Sequence, residues 1–413
     1  MKEIPFNLIG KRRALDGRFP FGIWLITLIG FLNSAGFSIS LPFIALYLHT
    51  DRGLSMTMVG LIILFSGLLS AMVQIYAGAL CDRLGRRPLL LVSVAASVVF
   101  YALMAVAVGS ESAVWLIITA YTLVRVSLMM QRPSIQAMVV DLCPRQRLAE
   151  ANGLLRMGQN LGWAAGPALG GYLLIGMSYA WLFSVGMLMS IIVLGVVVFK
   201  VKESFVGDGV HVSLKGTFAA GSDRTFLVFT ILCGLLFLAM GQTGSTLSVF
   251  SVEWAGFTTS QYGTLLTVNG LMVVFFQYPV ARLVDRMSKR SALMLGAVLY
   301  AVGYGIMGLV GAYGVAVMAM VGITLGEIVV APTTLAIVGE LSPTNWRGRY
   351  MGFFGLSETA GISMGPLLGG ILMDAFPRNS MAVWGIIGLA ALVSSLGFFY
   401  WGRMAARSHI AST

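Results

Sequence analysis

The amino-acid sequence predicts an all-α integral membrane protein in which twelve transmembrane helices form two pseudo-symmetric six-helix bundles. Three observations predict this fold. Of the 413 residues, 58% are hydrophobic and only 10% are charged, whereas about a quarter of the residues of an average soluble domain are charged. Twelve apolar runs are long enough to cross a bilayer, and the second half of the chain repeats the first. The composition excludes a soluble enzyme, a coiled coil and a disordered chain.

The apolar runs are each about 20 residues or longer, which is the length of helix that spans the hydrocarbon core. They lie at 21–48, 57–80, 89–108, 113–140, 147–175, 180–200, 225–251, 260–283, 291–311, 314–339, 347–375 and 380–402. The longest polar connection separates the first six runs from the last six. The sequence therefore predicts one bundle over residues 1–200, a cytoplasmic linker over 201–224 and a second bundle over 225–413.

Basic residues between the runs predict the side of the membrane that each loop faces. With twelve spans both termini share one side, and that side carries 22 of the 27 Lys and Arg residues. The opposite side carries only Arg52 and Arg378. Since cytoplasmic loops are enriched in Lys and Arg, we expect a cytoplasmic (inner) membrane protein with both termini in the cytoplasm. The cations are dispersed over many loops, so the net charge of +11 does not indicate nucleic-acid binding.

The two halves of the chain correspond at a nearly constant offset. At an offset of 203 residues, Gly60 and Gly67 correspond to Gly263 and Gly270. At an offset of 199 residues, the matching glycine and proline positions are Gly162, Gly166, Pro167 and Gly170 with Gly361, Gly365, Pro366 and Gly369. Parallel repeats of six spans are typical of transporters with two bundles around a central site.

Three sequence motifs resemble those of the major facilitator superfamily. Residues 78–88, GALCDRLGRRP, are similar to its motif between spans two and three, and 281–291, ARLVDRMSKRS, are similar to the copy in the second half. Residues 158–171, GQNLGWAAGPALGG, and Arg125 in span four resemble motifs of its drug:proton antiporter branches. The resemblance covers essentially the whole chain. It implies the major facilitator fold and a carrier, not an enzyme, that uses a proton gradient and no cofactor.

The loop after span two is a candidate gate. Its residues, with those of its copy, are Gly78, Asp82, Arg83, Gly85, Arg86, Arg87, Asp285 and Arg286. The resemblance implies that this loop latches the two bundles together in the outward-facing state. The alternative is a simple cationic anchor at the cytoplasmic face, which would need neither the aspartate nor both glycines.

Small residues at four-residue spacing in spans five and eleven predict close helix packing. The residues are Gly162, Gly166, Pro167, Gly170, Gly361, Gly365 and Pro366. The resemblance implies a tight interface between the bundles that favours exchange. Helix packing alone is the alternative, because span eleven repeats the pattern of span five.

Ionisable residues inside the spans are candidates for the transport path, because each costs at least about 2.5–3.5 kcal/mol to place there. They are Arg125, Arg132, Arg156, Glu327 and Glu358. A carboxylate in a low-dielectric site can take up a proton at neutral pH, whereas arginine stays charged. We therefore hypothesise that Glu327 and then Glu358 carry protons, with Arg125 as their fixed counter-charge. In the alternative, the carboxylates are structural and Arg132 and Arg156 reach toward lipid headgroups.

Polar, methionine and aromatic residues near these charges are candidate cavity walls. They are Asn33, Phe37, Tyr121, Arg132, Gln136, Arg156, Asn160, Trp163, Met240 and Gln242. Such walls suit apolar ligands of varied shape. Many drug-exporting relatives carry an acidic residue in span one, where this chain has Asn33 and several serines. The arginine-rich first half therefore favours a neutral or anionic amphiphile.

The sequence thus predicts a monomeric multidrug-type exporter of small amphiphilic compounds, working in the lipid bilayer by proton antiport and alternating access. Two alternatives remain open: a lipid or lysolipid translocator of the same fold, and a non-transporting membrane receptor or scaffold. The sequence contains no P-loop motif for ATP, no metal-ligand spacing and no recognisable nucleophile–base set for catalysis.

Overall fold

The computed structural model describes residues 19–144, 147–204, 219–284, 286–343 and 346–410, with the backbone alone for 149, 219, 347, 348 and 404–410. The basic segment before Phe19 and most of the predicted linker lie outside these ranges.

Within the described ranges the chain forms twelve helices of 17 residues or more. They are α1 (Phe21–Ser40), α2 (Met56–Leu84), α3 (Arg86–Gly109), α4 (Val114–Leu142), α5 (Leu148–Leu173), α6 (Tyr179–Phe199), α7 (Arg224–Met240), α8 (Thr259–Val284), α9 (Lys289–Met307), α10 (Tyr313–Leu341), α11 (Arg347–Ala375) and α12 (Ser380–Ile410). Each of them overlaps one predicted span.

Two of the twelve helices differ from the rest in composition. Ten helices in the described part of the chain are long and apolar enough to cross a membrane, and α5 and α11 are not among them. Both carry many glycines together with a charged residue, Arg156 in α5 and Glu358 in α11. Such residues are tolerated at membrane depth where they face protein or a cavity instead of lipid.

The helices α1 and α7 continue beyond their regular parts through short, irregular turns. The first extends through Leu41–Phe43 to Asp51, and the second through Gly241–Gly244 to Trp254. Pro42 lies in the first break, where its ring removes a backbone donor. The predicted spans included these segments but did not predict the breaks.

Helix packing inside each half follows the sequence repeat. In the first half α1 packs against α5 and α6, α3 against α4 and α6, and α2 against α4. In the second half α7 packs against α11 and α12, α9 against α10 and α12, and α8 against α10. Long helices of different halves meet in two repeat-related pairs, α2 with α11 and α5 with α8.

Glycines allow backbones of the two halves to touch. A Cβ atom on Gly60 of α2 would lie 2.5 Å from Leu367 Cα of α11, and one on Gly263 of α8 would lie 2.1 Å from Pro167 O of α5. Further contacts of this kind join Gly67 to Ser363, Gly270 to Ala164, Gly370 to Met56 and Gly171 to Thr259. All of them lie in the first parts of α2 and α8 and the later parts of α5 and α11. The halves are therefore joined at the end of the molecule where α2 and α8 begin, called the outer end below.

Candidate functional site

A cavity of about 100 Å³ lies between the two halves. Its lining includes Arg156 of α5, from the first half, and Met240, Glu327 and Glu358 of α7, α10 and α11, from the second. Four of the residues predicted from the sequence thus share one space. A cation of one half faces two carboxylates of the other across it.

Glu327 is held by an amide of a neighbouring helix. Asn269 Nδ2 on α8 donates to Glu327 Oε2 at 2.9 Å and to Thr324 Oγ1 at 3.0 Å. The Thr324 hydroxyl in turn donates to Met320 O at 2.7 Å, so its oxygen is free to accept from Asn269. Asn269 was not among the residues predicted from the sequence. The available signal was an amide in an apolar span, beside a glycine of the repeat.

Two arginines of the first half, Arg132 and Arg156, lie near the carboxylates of the second half. Arg156 is near enough to both carboxylates to interact with their charges, and Arg132 of α4 is near enough to Glu358. The side chains of Arg132 and Gln136 are exposed on one face of α4. These positions bring Arg132 and Arg156 to the carboxylates of the other half.

Arg125 was expected to be the counter-charge of Glu327 and Glu358, but its side chain contacts its own half. Its guanidinium donates to Tyr121 Oη at 3.2 Å and to Ile63 O of α2 at 3.4 Å. The side chain therefore lies against α2 of its own half, and the structure places Arg156, not Arg125, beside Glu327. Arg125 and Arg132 lie on nearly the same face of α4 but about 10 Å apart along its axis, so the position along α4, and not its rotation, keeps Arg125 from the carboxylates.

Two further groups of predicted wall residues lie in the first half. The rings of Phe37 and Trp163 lie with their centroids 5.8 Å apart, and Asn160 is half-buried on the same helix as Trp163. Asn33 Nδ2 donates to Gln131 Oε1 at 2.7 Å, within a buried polar chain of the first half. Gln131 is a second residue that the sequence analysis missed.

Gln242 does not lie on the cavity wall, which corrects the sequence prediction. It is fully buried, its amide donates to Gly365 O of α11 at 2.8 Å, and its carbonyl accepts from Thr246 Oγ1 at 2.6 Å. Since α7 is irregular from Gly241 onward, the side chain satisfies backbone groups between α7 and α11. A regular helix, which the sequence analysis assumed, would not need that bond.

The glycine stripes pack mainly inside each half. Gly162, Gly166 and Gly170 face α1, and Gly361 and Gly365 face α7. The prolines beside them face the other half instead, Pro167 toward Gly263 and Pro366 toward Gly60.

The loop motif is engaged within the first half. Arg86 Nε lies 3.1 Å from Asp141 Oδ2, and Arg86 Nη1 lies 3.4 Å from Asp82 Oδ1. Gly85 has a φ of 96°, a conformation that favours glycine, and ends α2. Glu203, which the sequence analysis did not single out, accepts from the backbone N–H groups of Arg86 and Arg87 at 3.1 Å each.

The remaining motif residues lie in open or exposed positions or outside the described residues. Gly78 has open space around it, and Arg83 is exposed. In the second copy Asp285 lies outside the described residues, and Arg286 is exposed in the turn after α8. Lys289 pairs with Glu340, which are the repeat counterparts of Arg86 and Asp141.

Polar contacts join the two halves at the outer end. Asp374, in the last turn of α11, accepts from Met56 N at 3.1 Å and from Thr57 N at 2.7 Å. Thr259 Oγ1 at the start of α8 donates to Gly171 O at 3.0 Å. His49 Nε2 lies 3.3 Å from Glu253 Oε2. The cavity charges are thus separated from the outer end by a closed interface.

A family model described as the Major Facilitator Superfamily matches residues 26–259 and, again, residues 232–412. The chain belongs to the major facilitator superfamily. The two overlapping matches agree with the internal repeat, and the predicted fold and family are confirmed. As a member of this superfamily the protein is a multi-pass membrane transporter, not an enzyme, and it works without a cofactor.

Relatives and solved structures with whole-chain similarity are consistent with this membership. An uncharacterized MFS-type transporter, YttB of Bacillus subtilis, is 27% identical over 90% of this chain and 90% of its own. The multidrug resistance protein MdtH of Aeromonas hydrophila is 25% identical over 94% of this chain and 98% of its own. A crystal structure of a POT family transporter in complex with a thioalcohol-conjugated peptide has a TM-score of 0.80 at 14% identity, covering 93% of this chain and 96% of that one. The last likeness concerns the fold alone.

Proposed function

We propose that this protein exports small amphiphilic compounds in exchange for protons, by alternating access of the cavity between its two six-helix halves. The observation that carries the proposal is the position of Glu327 and Glu358 opposite Arg156 in one cavity. Buried carboxylates can bind and release protons, whereas the arginine keeps its charge. The name of the MdtH relative supports multidrug-type export.

Competition for the carboxylates is the coupling step in this proposal. With Glu327 and Glu358 ionised, the carboxylates balance the charge of Arg156 and Arg132 and accept hydrogen bonds from the polar end of the substrate. Protonation of the carboxylates removes these charged acceptors and weakens the binding of the substrate. A carrier that binds either a proton or a substrate, and reorients only when loaded, exchanges one for the other.

The arginines also bear on the class of substrate. A cavity of about 100 Å³ is smaller than the roughly 300 Å³ or more of a site for a drug-sized ligand. We therefore place the polar end of the substrate between Arg156 and Glu358, and its apolar body along the exposed face of α4 toward Arg132 and Gln136. This arrangement favours neutral and anionic amphiphiles over cations.

The orientation and assembly belong to the same proposal. Residues 1–200 and 225–413 are the two moving halves, and 201–224 is the linker between them. The protein lies as a monomer in the cytoplasmic membrane with both termini in the cytoplasm. The outer end is then the non-cytoplasmic end, and the conformation described here, closed at that end, is the one that loads substrate from the cytoplasm.

Transport by the purified protein in liposomes tests this function. A pH gradient is imposed, and matched cationic, neutral and anionic fluorescent amphiphiles are offered. We expect uphill movement of the neutral or anionic probe that stops when the gradient is collapsed by an ionophore. Transport unaffected by the ionophore would remove proton antiport. Movement of fluorescent phospholipid or lysolipid between leaflets, without movement of the probes, would replace export by lipid translocation.

A further inference from the structure

Asn269 lies between the candidate proton site and the contact between the halves. Its side chain on α8 bonds to Glu327 of α10, within the second half. The next residue, Gly270, packs against α5 of the first half: a Cβ atom there would lie 2.5 Å from Ala164 Cα. One turn earlier, Thr267 Oγ1 donates to Ala164 O at 2.7 Å. A single turn of α8 therefore touches both the carboxylate and the other half.

We infer that Asn269 is a positioning residue that links the ionised state of Glu327 to closure of α8 against α5. This inference rests on the proposed function. Both hydrogens of the Asn269 amide are donated, one to Thr324 and one to Glu327. A bond to a carboxylate is roughly twice as strong as one to a neutral acceptor. An ionised Glu327 thus holds Asn269, and with it this turn of α8, in the closed position more firmly than a protonated one.

Such a link would prevent the empty carrier from changing conformation. An exchanger must not reorient while empty, or the gradient is lost without export. With Glu327 ionised and no substrate bound, the Asn269 contact keeps the outer end shut. A proton on Glu327 weakens the contact and releases the closure.

Other titratable groups face Glu327. They are Arg156 on α5, Tyr300 and Tyr304 on α9 and Glu358 on α11. Arg156 also connects the halves, so the contribution of Asn269 has to be measured with Arg156 intact. A difference between two ionisation states of Glu327, not the mere loss of stability, identifies the link.

The first half supplies a matched control. Ser66 occupies the repeat position of Asn269, next to Gly67, which packs against α11 as Gly270 packs against α5. Ser66 Oγ lies 2.9 Å from Thr122 Oγ1 of α4. Ser66→Ala therefore removes a polar contact at the same place in the interface without removing one to Glu327.

The experiment measures the distance across the outer end in the full-length protein in nanodiscs. Spin labels are placed at exposed positions of the two halves, Ser110→Cys and Ala312→Cys, and the native Cys81, Cys143 and Cys233 are buried. We expect Asn269→Ala to raise the ratio of open to closed outer ends about tenfold at alkaline pH, the effect of losing one hydrogen bond to a charged group. At acidic pH, and in a Glu327→Gln background, the change should be much smaller. Ser66→Ala should give no pH-dependent change.

Two outcomes overturn the inference. One is an equal effect of Asn269→Ala at both pH values and in the Glu327→Gln background, which makes Asn269 a packing residue only. The other is no effect under any condition. If Asn269→Ala does not fold, Asn269→Ser, which donates one hydrogen in place of two, should show the same pattern more weakly. Proton-driven export by the Glu327→Gln protein is measured separately, and its persistence would sink the proposed function instead.

Discussion

Asp374 of the second half caps the first turn of α2 in the first half, with its carboxylate 2.7 Å from Thr57 N. A carboxylate at a helix N-terminus is favoured by the helix dipole and by the free N–H groups there. Because the acceptor and the donors belong to different halves, this cap exists only while the outer end is closed.

Asp374→Ala should therefore favour the open outer end. Loss of such a cap costs about 0.5–2 kcal/mol, which corresponds to a several-fold larger open population. Labelling of a cysteine placed at Ser363, which is buried against Gly67 of the other half, would be faster in the variant. Asp51→Ala, at another acidic residue of the same end, is the control and should leave the rate unchanged. Equal labelling with and without Asp374 would show that the cap does not hold the closure.

The glycine contacts between the halves predict that alanine destabilises the protein at a contact glycine but not at a glycine with open space around it. Gly263→Ala places a methyl group 2.1 Å from Pro167 O, so α8 and α5 must separate. Gly153→Ala, on α5 where nothing lies within 4 Å, should be neutral or slightly stabilising because alanine favours helix. We expect Gly263→Ala to cost about 1–3 kcal/mol and to lower the unfolding midpoint in detergent. Similar midpoints for the two variants would contradict the packing described for the outer end.

The contacts of Glu203 predict that it stabilises the loop motif. It accepts from Arg86 N and Arg87 N at 3.1 Å each and so caps α3. Glu203→Ala should cost about 1 kcal/mol of stability. Glu150→Ala, which removes an exposed pair with Arg147, should change stability by less than about 0.5 kcal/mol. Thermal unfolding of the two variants side by side measures the difference, and a larger loss at Glu150 would refute the capping role.

Substitution of Arg156 should change the affinity for the substrate and not the stability of the protein. If it holds the polar end of the substrate, Arg156→Gln should raise the KM for an anionic amphiphile about tenfold or more and that for a neutral one less. Arg378→Gln, in an exposed outer loop, is the control. Initial rates in liposomes over a range of probe concentrations give the KM. Equal KM changes for neutral and anionic probes would remove the direct role of Arg156.

The fold could be predicted from the sequence because each membrane-spanning helix leaves a long apolar run in it. Each span is a run of about 20 mainly apolar residues, and even α5 and α11, whose glycines and charges lower their hydropathy, were identified from such runs. The breaks in α1 and α7, at Pro42 and Gly241, were not predicted, since proline and glycine also occur in continuous membrane helices. Their effect depends on neighbouring helices that satisfy the freed backbone groups.

The candidate site was accessible only in part. The cost of charge in a membrane identified Glu327, Glu358 and Arg156, whichever way each helix is turned. Which arginine lies beside Glu327 depends on how far along α4 and α5 each arginine lies relative to α10, and the repeat does not encode it. Asn269 and Asp374 act through a hydrogen bond to another helix, so neither stands out in its own segment.

Exchange and net transport by Glu327→Gln, measured in the same liposomes, test the central claim most directly. The claim predicts that this variant still exchanges labelled for unlabelled substrate across the membrane but neither moves protons nor drives substrate uphill in a pH gradient. The matched Glu111→Gln protein, altered in an exposed outer turn, should keep proton-driven transport. Uphill export by Glu327→Gln at the wild-type rate, with protons moving in the opposite direction, would contradict it.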